Sequence, residues 1–102
     1  MSDLELLKLS AKAAELELEE SIYPGWFMCS GRQWNPLVDD GDALRLAVKL
    51  KMDVTVGQSV KVVCATNEGI VARFVLPLED GDDFAVVRRA IVNAAAEVCQ
   101  GK

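Results

Sequence analysis

The chain contains no histidine, and that absence removes the commonest general base and the commonest metal ligand at once. Ser-His-Asp and Cys-His arrangements are excluded with it, as are most zinc sites. A phosphate-cradling loop is missing too, because the seven glycines are scattered among turns rather than gathered ahead of a helix. No apolar run approaches the ~18 residues that span a bilayer. Ser2, Asp3 and Glu5 stand where a secretory leader would carry Lys or Arg. These features imply a chain that stays in the cytosol, with no membrane partner.

Positive charge is also scarce. Eleven Lys and Arg against sixteen Asp and Glu leave a net charge of −5, which offers no general attraction to phosphate backbones and argues against nucleic acid as a partner. The three cysteines, Cys29, Cys64 and Cys99, are odd in number, far apart and embedded in apolar sequence. Buried free thiols in a reducing compartment fit that pattern.

What is present describes one packed unit. A length of 102 residues falls within the range of a single domain, and 51% hydrophobic with 26% charged residues is a globular composition. We read residues 1–20 as an N-terminal helix, capped by Ser2 or Asp3 with Glu5 reaching back, and free of Gly and Pro. Leu4, Leu7, Ala11, Ala14 and Leu18 form one apolar stripe, and Leu6, Leu9, Ala13 and Leu16 a second beside it. So wide a face predicts packing against more than one element or partial burial in a dimer.

Strands are predicted between residues 26 and 76, interrupted by a helix over 42–51 whose acidic start and Lys49–Lys51 end suit the helix dipole. Within this region Trp26–Cys29 reads as a strand that Gln33–Trp34 continues, and Asp53–Val56, Val60–Thr66 and Ile70–Leu76 read as an antiparallel meander. Ile70, Ala72, Phe74 and Leu76 would share one face of the last strand. Neither face of the meander is cleanly polar, which predicts cover on both sides. A C-terminal helix follows over 82–100, with Phe84, Val87, Ile91, Ala94, Ala95 and Val98 as its stripe. The expected fold is α+β: a three-layer α/β/α sandwich with a mainly antiparallel sheet of about four strands and three helices.

Two constellations could carry function. Asp39, Asp40 and Asp42, echoed by Asp80 and Asp82, place carboxylates around a turning glycine as hard cations require. The twelfth position from Asp40 is Lys51 and from Asp80 is Ile91, so neither segment is an EF-hand, and helix capping explains the acids without a ligand. Trp26, Phe27 and Trp34 belong to an aromatic cluster that could face a partner or fill the core. Arg88 and Arg89 are too small a basic patch for a phosphate site and read as solvated surface. No residue pattern singles out a catalytic group, a metal site or a cofactor.

The run from Trp34 to Leu50, with its Trp-Asn-Pro-Leu opening, and the run from Arg88 to Val98 resemble a signature of small phage and prophage proteins, the phage α-β-α sandwich domain family. That resemblance implies the layered architecture, a gene carried by a phage or prophage, and a bacterial host cytoplasm. It implies no activity and assigns no site residue. The leading functional expectation is therefore a small accessory protein acting through a protein partner or as a homodimer. A small-ligand or cation-binding module at the acidic helix starts is the alternative, and an enzyme using carboxylates or a cysteine ranks third.

Overall fold

The computed structural model describes residues 2–20, 27–66, 69–78 and 82–100. Helix α1 (Asp3–Ala13) begins as its sequence predicts, with Ser2 Oγ accepting the Glu5 N–H at 3.2 Å. It stops well short of Glu20. Glu15 adopts a left-handed backbone with φ 59°, its N–H bonds to the Lys12 carbonyl, and the Leu16 N–H reaches back to the Ala11 carbonyl at 2.8 Å. This is a Schellman closure made without glycine, and it turns the chain out into strand β1 (Glu19–Glu20). Strands β2 (Phe27–Cys29) and β3 (Arg32–Trp34) pair antiparallel, in register Phe27 to Trp34 and Cys29 to Arg32. Positive φ at Ser30 and Gly31 marks the tight two-residue hairpin that suits strand twist.

Asn35 turns the chain by accepting the Leu37 N–H on its side chain. Asp39 then caps helix α2 (Asp40–Lys49), which a second glycine-free closure ends at Lys51, φ 54°. The meander appears as predicted in strands β4 (Asp53–Val56), β5 (Ser59–Thr66) and β6 (Gly69–Pro77). Helix α3 (Asp83–Gln100) follows, and Asp82 accepts the Ala85 N–H at its start.

The architecture is α+β, but the strands form two three-stranded antiparallel sheets, β1-β2-β3 and β4-β5-β6, rather than one sheet of about four. Pro36 and α2 stand between β3 and β4 and keep the two ladders apart. The layering also differs from the predicted sandwich. Helix α3 lies on the inner face of β5 and β6, and α1 and α2 pack on α3. Val60, Val62, Cys64 and Ala72 are buried on that inner face, whereas Lys61, Ala65, Val71, Arg73 and Val75 on the outer face are exposed. Cover therefore lies on one side of this sheet. An extra residue in β6, where Cys64 pairs with Ala72 but Ala65 with Ile70, is a β-bulge that turns Ile70 outward, 64% exposed, instead of inward with Ala72.

The wide face of α1 serves two neighbours. Leu6, Ala13 and Ala14 join the main core with Val60, Val62, Ile91 and Val92, while Leu7 and Ala11 meet Phe27 and Trp34 of the small sheet. From Ala90 to Ala96 only Asn93 on α3 escapes full burial, because α1, α2 and the sheet surround it.

Candidate functional site

The acidic start of α2 is a set of separate structural tasks. Asp39 Oδ1 accepts the Gly41 N–H at 3.2 Å, and Asp40, exposed, pairs with Arg88. Asp42 is buried and accepts both the Asn35 N–H at 2.9 Å and the Arg45 guanidinium at 2.8 Å. Burial pushes the Asp42 carboxyl up, but the hydrogen bonds donated by the Asn35 N–H and the Arg45 guanidinium, with the charge of Arg45, outweigh it and hold its pKa below the ordinary value. The three carboxylates thus take different partners. Among the described residues no three Asp, Glu, Cys or His side chains gather as a metal site. Asp80 falls outside the described residues, and Asp82 caps α3.

Arg88, read from sequence as solvated surface, is in fact largely buried, its side chain retaining 14% exposure. Its Nε donates to the Leu37 carbonyl at 2.9 Å while its guanidinium reaches Asp40 and Asp82, so it ties the turn before α2 to α3. Arg89 grips Asp3 with both terminal nitrogens at 3.2 and 3.3 Å, fastening α1 to α3. Cys64 is buried and its Sγ donates to the Leu50 carbonyl at 3.3 Å; burial pushes its thiol pKa up, away from reactivity. Cys29 and Cys99 are half-buried free thiols.

Of the aromatic candidates, Trp26 lies outside the described residues. Phe27 and Trp34 face each other across β2 and β3 and are buried against α1. Trp34 also floors a cleft of about 280 Å³ between the β2–β3 hairpin and α2. Leu16, Cys29 and Leu46 complete an apolar wall, and Arg32, Arg45 and Lys49 supply charge beside Asp42. Sequence reasoning passed over these cations. Asp42, Arg45 and Lys49 recur at helical spacing and so share one face of α2, but nothing local indicates that the hairpin bearing Arg32 folds over that face.

A second open feature is the edge of the β4-β5-β6 sheet. Leu78 N–H donates to the Gln58 carbonyl at 3.2 Å, and the register continues as Val60 to Leu76 and Val62 to Phe74. Alternation then directs the backbone groups of Leu76 and Phe74 to β5, and those of Val75 and Arg73 away from the sheet. Pro77, which has no N–H, occupies an outward position of the same series. Beside this edge, Ile70, Val71 and Val75 are all more than 40% exposed.

No family model matches the chain, and no curated protein or solved structure is significantly similar to it. Within the described helices none is long and apolar enough to cross a membrane.

Proposed function

We propose that the chain is a small accessory protein of a phage or prophage, working in the cytoplasm of the bacterial host by protein contact rather than catalysis, with a second copy of itself as partner. The observation that carries this reading is the outward-facing edge of β6, where the Arg73 and Val75 peptide groups have no strand partner among the described residues, with the exposed Ile70, Val71 and Val75 side chains beside them. An edge of this length is a template for another strand. A two-fold axis through Phe74 would set Arg73 of one copy against Val75 of the other, so the two arginines do not oppose one another. The resulting six-stranded sheet would have a continuous outer face.

The phage origin rests on the resemblance of residues 34–50 and 88–98 alone, since the layering described above differs from the sandwich that the resemblance implies. The lack of histidine and the structural employment of Asp39, Asp40 and Asp42 support a non-catalytic role. Sedimentation equilibrium should give a concentration-dependent dimer for the native chain and a monomer for Val75→Pro, which removes one outward N–H. Val75→Lys, retaining that N–H, should weaken association less. A native chain that stays monomeric at its highest attainable concentration would refute self-association. Capture of a different protein, lost in Val75→Pro, would transfer the same edge to another partner.

A further inference from the structure

We infer that the cleft between the β2–β3 hairpin and α2 is a binding site for a small carboxylate with a flat apolar body. Its volume of about 280 Å³ lies just below the range of roughly 300–1,000 Å³ usual for pockets that enclose drug-sized ligands. A bicyclic aromatic acid is the appropriate scale. Leu16, Cys29, Trp34 and Leu46 form the apolar wall, and Trp34, only 7% exposed, is held in place by packing against Leu7 and Ala11 of α1. A flat ring would gain contact on that wall without any side chain having to unpack.

The charge of the cleft opposes the charge of the chain. Three cations, Arg32, Arg45 and Lys49, line it together with one carboxylate, Asp42, in a protein of net charge −5. Asp42 is already engaged by Asn35 and Arg45, and no described acid lies within salt-bridge distance of Arg32 or Lys49. The cleft consequently favours an anion. Lys49 stands in the last turn of α2, where the helix dipole is negative and offsets part of this positive field. That offset, and the absence of a glycine-rich nest of N–H groups, favour a single carboxylate over a doubly charged phosphate.

The cationic side is built in advance. Ser30 and Gly31, with φ 54° and 79°, form a hairpin turn that fixes the backbone of Arg32 in the pair Cys29 to Arg32. The buried Asp42 carboxylate holds Arg45 at 2.8 Å. Arg32 and Lys49 are exposed and can close on an acid group entering between them. Ser30 and Gln33, also lining the cleft, add neutral hydrogen-bonding groups.

The test is a titration of the full chain with 2-naphthoate, followed through backbone amide chemical shifts in two-dimensional NMR, with 2-naphthylmethanol as the neutral comparison. Saturable shifts should cluster at residues 29–34 and 42–49. Naphthoate should bind about tenfold more tightly than the alcohol, the scale of a charge-assisted contact. The double variant Arg32→Gln/Lys49→Gln should lose that preference while binding the alcohol as before, which separates loss of charge from loss of fold. Added salt should weaken naphthoate binding and spare the alcohol. Equal affinity of the two compounds for the native chain, or shifts that are linear or scattered over the surface, would overturn the assignment. Val75→Pro should leave naphthoate binding unchanged, so this site and the self-association edge stand or fall separately.

Discussion

Leu46→Ala is expected to destabilise the fold by about 3 kcal/mol, within the range for emptying a buried leucine site. Leu46 is 1% exposed and joins the core that holds Val60, Val62 and Val92. It is the largest of the side chains that α2 buries completely, since its other buried positions are Asp42, Ala43 and Ala47. Without it α2 has little apolar surface with which to grip α3. Urea unfolding should show a lower midpoint with little change in slope. Leu46→Met, which nearly conserves volume, should cost less than about 1.5 kcal/mol. If Leu46→Ala fell below about 1 kcal/mol, the packing of α2 described here would be wrong.

Asp42→Ala should cost about 3 kcal/mol at neutral pH, because it removes charged hydrogen bonds and leaves the Asn35 N–H without its acceptor. The effect depends on pH in a definite direction. The folded-state pKa of Asp42 lies below its ordinary 3.8, so its ionisation stabilises the fold fully above the unfolded value. That contribution is lost as pH falls through the lower, folded value. The stability gap between native chain and variant should therefore hold between pH 6 and pH 5 and narrow below about pH 4. It should not vanish, because a protonated carboxyl still accepts the Asn35 N–H. A gap that widened on acidification would contradict the arrangement.

The elements whose signals are local were legible in the chain. Ser2, Asp39 and Asp82 begin helices as short polar side chains at such positions do, and the Gly57–Ser59 turn separates β4 from β5. Two misreadings have specific physical sources. The end of α1 was missed because its left-handed residue is Glu15 and not glycine, and its closure depends on the Leu16 N–H reaching Ala11. Residues 14–20 otherwise have good helix formers throughout, so propensity favoured continuing. The second is α3, where the amphipathic stripe placed Phe84 inward although it is 69% exposed, and omitted Ala90, Val92 and Ala96, which are buried. Alanine is small enough to suit either environment, and only the presence of three neighbours decides the matter.

The sheet was harder to infer. Valines on both faces suggested double cover, yet Val71 and Val75 are exposed and the bulge moves Ile70 to join them. β-Branched residues favour strands for backbone reasons as well as for burial, so their presence on a face does not establish that it is covered. The cleft was illegible for a different reason. Arg32 and Lys49 are brought to one cavity by the return of the β2–β3 hairpin over α2, a long-range event with no local marker. The sequence offers Asp42 as a candidate for interaction or for cation binding at the helix start. Its observed partners are a peptide N–H and an arginine.

The division of the apolar interior into two clusters has a consequence for how the molecule breathes. The small sheet is anchored to α1 by Phe27 and Trp34 against Leu7 and Ala11, while α3 and the larger sheet share the extended core around Val60, Val62 and Val92. The hairpin is therefore expected to open at a free energy below that of global unfolding, as segments with few buried contacts do. Amide protons of Phe27 and Trp34, which bond across the hairpin, should then trade with deuterium sooner than those of Val62 and Val92. A carboxylate seated on Trp34 would slow the hairpin set selectively, because it would have to leave before that lid of strand could rise.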